Sequence, residues 1–413
     1  QAIAVNAMAL GTESYANTLD AFAAGLRSRA TGVNSMALGM LSNASNTNAF
    51  SAGSCANALG INSLAYGTQS YANAGNSMAT GTRANATGTD AIAAGVCALA
   101  DQLGAMAFGG YAQATGNNST AVGASANATA NSATAIGTSA IATGVNALAL
   151  GESSQATQRD AFAAGAGACA LANGSTALGE SAIASANNAS ALGTKANASG
   201  INAIAIGTQT VANSTDAFAG GFKACALAKS AMALGSNAIA SAQDSFAGGF
   251  QANASGASSL ALGVNTSATK SRAYAAGFNA SATGNKAMAL GAQASASNFS
   301  AYSAGSLANA SGPNSMALGT QANANAESSY AAGHYSRASG DNSTAMGTYA
   351  NASANDAYAI GYKANASAIN ALAFGPEANA SGVNSMALGS NSTAEAANAF
   401  AGGVDSVAQG VNS

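Results

Sequence analysis

The side chains able to do chemistry are few, and they are scattered. The one histidine, His334, follows Gly333 with no Cys, Asp or second His at metal-ligand spacing, so it reads as a solvated corner residue. Cys55 and Cys97 share one repeat position three coils apart, and Cys169 and Cys225 share another four coils apart. At about 4.8 Å per coil the members of each pair would lie roughly 14 and 19 Å apart. A disulfide needs Cα atoms within about 7 Å, so these thiols read as single outward substitutions. Asp90, Asp160, Asp216 and Asp356 occur where other repeats carry Asn34, Asn62, Asn202, Asn314 or Asn384. A short Asn or Asp at a corner hydrogen-bonds local backbone groups, which accounts for these acids without catalysis. Paired carboxylates, a glycine-rich phosphate loop, a Ser/His/Asp set and the calcium-binding nonapeptide are all missing. The expectation is no enzyme, no cofactor and no metal.

Asn-x-Ser/Thr sites at Asn43, Asn85, Asn127, Asn197, Asn253, Asn309, Asn351, Asn365 and Asn379 share one repeat position. They would form a line of acceptors for N-glycosylation. The competing reading is that Asn with Ser or Thr is simply the polar pair preferred on one face.

All these residues are placed by a repeat. Glycine recurs every 14 residues from Gly11 to Gly403, 29 times with no insertion or deletion. In "GTRANATGTDAIAAG" (81 to 95), alanines stand three, five, ten and twelve residues after the glycine, at Ala84, Ala86, Ala91 and Ala93. A second, less strict glycine lies halfway, as at Gly32, Gly88, Gly144, Gly200, Gly284 and Gly340. Alternation with a period of two means strand. Two short strands per repeat, separated by glycine corners, describe one coil of a parallel β-solenoid. The alanines face inward, in an interior that admits only Ala, Ser or Gly.

The outward residues separate by face. The first strand is largely polar, with Asn85 and Thr87 or Asn309 and Ser311. The second is apolar, with Met36 and Leu38, Ile204 and Ile206, Met288 and Leu290, Met316 and Leu318, Met386 and Leu388. Some coils pair a large ring with a small residue two further on, as in Phe162 and Ala164, which suggests interdigitation across a subunit interface. Stacked apolar pairs make a stripe larger than the roughly 300 to 600 Å² that soluble monomers expose. It must be covered by self-association.

Composition closes off other classes. Charged residues are 7% of the chain, against about 25% in typical domains. Two prolines among 49 glycines exclude collagen. Roughly one glycine per eight residues would cost a helical protein about 1 kcal/mol each. No apolar run of 18 residues exists to span a bilayer, no charged start precedes an apolar stretch as in a signal peptide, and net charge −3 without a basic patch does not suit nucleic acid.

The segments "NSMALGTQANA" (314 to 324), "INAIAIGTQTVA" (201 to 212) and "NSTAVGASANATA" (118 to 130) resemble the head repeats of YadA-like trimeric autotransporter adhesins. The resemblance covers essentially the whole chain. It implies an all-β, left-handed parallel β-roll with 14-residue coils, a homotrimer, and an extracellular or cell-surface location on a bacterial outer membrane, where the head binds host matrix or surfaces. The expectation is one continuous β-roll over residues 1–413, about 140 Å long at about 4.8 Å per coil. The sequence carries no heptad stalk, neck insert or barrel anchor, so it reads as a head fragment or as the repeat body of another extracellular filament. An ice-binding solenoid is the remaining alternative, against which stands the lack of a sustained Thr-x-Thr ladder.

Overall fold

A computed structural model describes all 413 residues. Every regular element is a β-strand, and two-residue strands alternate with three-residue strands along the chain. Contacts divide the chain into two compact units, Gln1–Gln209 and Thr210–Ser413. Each unit is a parallel β-solenoid of 14-residue coils. Within a unit every strand pairs in parallel with the equivalent strand of the next coil, as Met8, Ala9 and Leu10 with Phe22, Ala23 and Ala24.

The coil from Gly81 shows how the sequence makes the shape. Gly81 has φ +129° and Arg83 φ +59°, and the Ala84 N–H donates to the Gly81 carbonyl at 3.3 Å. A turn with a left-handed third residue reverses the chain, as a type II turn requires. Strand Asn85–Ala86 follows. The second corner repeats the device: the Ala91 N–H donates to the Gly88 carbonyl at 3.2 Å, with Asp90 at φ +59°. Strand Ile92–Ala94 then returns to Gly95.

The two glycines have different reasons to be there. Gly95, at φ +143°, holds a conformation closed to L side chains. Gly88 has no positive φ, but a Cβ there would run into the backbone carbonyl of Gln102 in the next coil.

Left-handed backbone at the second corner also explains the Asn and Asp found there, since these residues tolerate that region better than most. Their side chains bond along the stack as a ladder. Asn34 donates to Asn48, Asn48 to Asn62, Asn62 to Asn76 and Asn76 to Asp90, at 2.8 to 3.3 Å. Asn48→Ala is expected to cost about 1 kcal/mol, mainly from the φ of +56°. Asn48→Gly should cost less although it deletes the same hydrogen bonds, because glycine accepts positive φ freely. Urea midpoints of the two variants test this ordering.

The interior is made mostly of methyl groups: Ala84, Ala86, Ala91 and Ala93 are fully buried, as are their equivalents away from the chain ends. Buried serines are accommodated where they reach a turn carbonyl, as Ser70 to Gly67 at 2.9 Å and Ser119 to Gly116 at 2.7 Å. The interior is slightly roomier than an Ala, Ser or Gly rule allows, since Thr210 and Thr266 are fully buried. Thr266 fits because its hydroxyl donates to the Gly263 carbonyl at 3.2 Å.

Ser51 is different. It lies mid-strand between Ala37 and Ala65, too far from a corner, and its buried hydroxyl has no partner. Leaving such a group unpaired is costly. Ser51→Ala is therefore expected to raise stability by about 1 kcal/mol, read as a higher denaturation midpoint.

Candidate functional site

The outward side of the three-residue strands is a largely apolar surface in each unit, with Thr120, Thr134, Thr176, Ser190 and Thr344 among its residues. Register stacks Met8, Phe22, Met36, Phe50, Leu64 and Met78 in one column of Gln1–Gln209. In Thr210–Ser413 it stacks Tyr274, Met288, Tyr302, Met316 and Tyr330. Met36, Ile206, Met288 and Met316 are exposed, while Leu38, Phe162, Ile204, Leu290, Leu318, Met386 and Leu388 are half-buried against their neighbours in the stripe. They lie side by side along a face, and Phe374 and Tyr66 remain more than half exposed on it, at 54% and 60%.

Large and small residues also meet within a single chain on this face. The Phe218 ring leans over Gly220 of its own strand, where an added Cβ would lie 3.5 Å from the ring and 3.0 Å from Leu234 of the next coil. Gly248 sits in the same way beneath Phe246 and Leu262. At these two glycines the ring therefore fills space above its own strand.

Sequence reasoning missed apolar residues on the corners that border this face. Phe222, Phe250 and Phe278, each one residue past a corner glycine, are exposed, as are Ile61, Leu103 and Ile201 before the second strand. The signal was present in "FAGGF" at 218 to 222 and 246 to 250, and in "YAAGF" at 274 to 278.

The two-residue strands carry the polar face. Asn351 donates to Asn365 and Asn365 to Asn379, both at 2.8 Å, and Asn309 donates to Asn323 at 3.3 Å. Asn43, Asn85, Asn127, Asn197 and Asn253 occupy the same column and, like the others, are half-buried. The face is interrupted by exposed Ile183 and Ile239. All four cysteines are free and half-buried, and burial pushes the Cys169 and Cys225 thiols up from their ordinary range. A raised thiol pKa means little thiolate near neutral pH, so these two are poor nucleophiles.

His334 is exposed on a corner, edge-on to Tyr335 at 4.3 Å, and Tyr335 stacks on Tyr349 at 5.2 Å. Nowhere do three His, Cys, Asp or Glu side chains gather within reach of one ion.

The solenoid thus has a methyl-filled interior, a largely apolar face and a polar one. The chain belongs to the family described as YadA head domain repeat (2 copies), whose pattern matches it in 18 segments from residues 2–28 to 380–406. Most matched segments, such as 58–84, 142–168 and 352–378, span two coils. That family supplies the heads of cell-surface adhesins, which points to a structural adhesive role. No curated protein matches the chain.

Proposed function

We propose that the chain is an adhesive head segment of a trimeric fibre on a bacterial surface, and that its subunits meet through the three-residue-strand face. The observation that carries this reading is the column of Met, Phe, Leu, Ile and Tyr on one side of each unit, broken only by Thr120, Thr134, Thr176 and Ser190 in the first and by Thr344 in the second. Met36, Leu38, Phe162, Ile204, Ile206, Met288, Leu290, Met316, Leu318, Met386 and Leu388 are the interface residues in this reading. Exposed apolar area of this extent is characteristic of association surfaces. Because the opposite face is polar, association closes around an axis instead of spreading into a sheet. The number three is what the resemblance to trimeric autotransporter adhesins implies. The first-strand face and the corners are left to meet extracellular matrix or another surface. The nine Asn-x-Ser/Thr sites lie on that outward side, where Asn351 and Asn365 already serve a hydrogen-bonded ladder. Beads carrying the protein are expected to be retained on matrix-coated glass well above beads carrying albumin. Equal retention of the two would contradict the adhesive part of the proposal.

A further inference from the structure

One recess of about 500 Å³ opens on unit Gln1–Gln209, lined by Glu13, Tyr15, Arg27, Arg29 and Leu41. Its volume falls in the range of small-ligand sites. Glu13, Arg27 and Leu41 hold the same left-handed corner position in successive coils, at φ of 56°, 56° and 57°. Tyr15 and Arg29 are paired neighbours on the two-residue strands beside that column. The recess therefore lies between a corner column and a strand column, away from the apolar face.

Its donors and acceptors are specific. Arg27 donates from Nε to Glu13 Oε2 at 2.6 Å, so its terminal NH₂ groups and Glu13 Oε1 remain without protein partners. The Arg29 guanidinium lies 5.9 Å from the Tyr15 ring centroid and makes no ion pair. Arg carries five N–H donors in a planar fork suited to oxyanions with two or three oxygens. A bare inorganic anion would leave three features unused: the Glu13 acceptor, which would repel it, the Tyr15 ring, and Leu41, which is 45% exposed.

We propose that this recess binds an acidic sugar residue. Its carboxylate or sulfate ester sits on Arg29 and the terminal groups of Arg27, a ring hydroxyl donates to Glu13 Oε1, and the C–H face of the ring packs on Tyr15 and Leu41. Every group comes from one chain, so the site stands whether or not the chain trimerises, and it adds a ligand class to the adhesive reading.

Saturation-transfer difference NMR on the intact chain tests this with 3′-sialyllactose, a sulfated heparin disaccharide and lactose. One or both acidic sugars are expected to give signal and lactose none, and the sugar that responds tells carboxylate from sulfate. Arg29→Gln should reduce that signal at least tenfold with an unchanged melting curve, because Arg29 is exposed. Arg27→Gln should weaken it less. Signal of equal strength from lactose, signal that survives Arg29→Gln, or no signal from either acidic sugar would overturn the proposal. None of these outcomes bears on subunit number.

Discussion

Leucine in place of Ala93 is expected to unfold the coils around it. Ala93 is fully buried between Ala79 and Ala107 of the neighbouring coils, and the facing sheet is equally lined with alanine, such as Ala86 and Ala100. Three added carbons have nowhere to go without separating the two sheets. Overpacking in ordinary cores costs about 1 to 3 kcal/mol because neighbours change rotamer. Alanine has no rotamer to change, so the cost here should reach or exceed the top of that range. In a solenoid each coil is held by its neighbours, and a local break removes their support too. Ile92→Leu, one residue away and outward, conserves volume and should cost less than about 1.5 kcal/mol. Gly95→Ala should rival Ala93→Leu, since φ +143° excludes a side chain and its Cβ would strike the Gly109 carbonyl. Thermal midpoints of the three variants measure this. Equal midpoints for Ala93→Leu and Ile92→Leu would mean that the inner and outer faces have been reversed.

Exchanging Ile204 and Ile206 together for Asp is expected to dissociate the assembly while leaving the coils folded. Ile206 is 41% exposed and Ile204 half-buried, both on the apolar face. Two carboxylates there bear little cost in the isolated chain, where water reaches them. Against an apolar partner they would be desolvated and unpaired, which costs several kcal/mol per charge. Repetition by the symmetry axis multiplies the penalty at every subunit contact. Gln113→Asp with Asn73→Asp is the matched control, because both residues are exposed on the polar side. Size-exclusion elution should shift for the first pair and not for the second. An unshifted Ile204/Ile206 variant with native circular dichroism would place the interface elsewhere.

Much of this architecture was legible because the repeat makes every residue report on many others. Alternation at Ala84, Ala86, Ala91 and Ala93 fixes which side chains turn inward, and the unbroken glycine register fixes the coil length. The first-corner left-handed position was not legible. Arg83, Cys55, Leu41 and Tyr349 all hold φ near +57° there, and no residue type marks it, because the strain is carried by the parallel ladder on either side. Exposed Phe222, Phe250 and Phe278 were visible in the sequence but were not placed beside the apolar face, since spacing alone does not say which outward columns adjoin. The recess at Arg29 went unseen for a related reason. Glu13, Arg27 and Leu41 sit 14 residues apart, and they become neighbours only when the corner column is built.

Sedimentation equilibrium over a hundredfold range of protein concentration tests the central claim most directly. The covered apolar face, with the subunit number the family resemblance implies, predicts a mass near three times the 39.0 kDa of the chain, held on dilution. A mass of twice the chain would keep the face as an interface but contradict the number taken from the family. A well-behaved species of 39.0 kDa at every concentration would contradict the account.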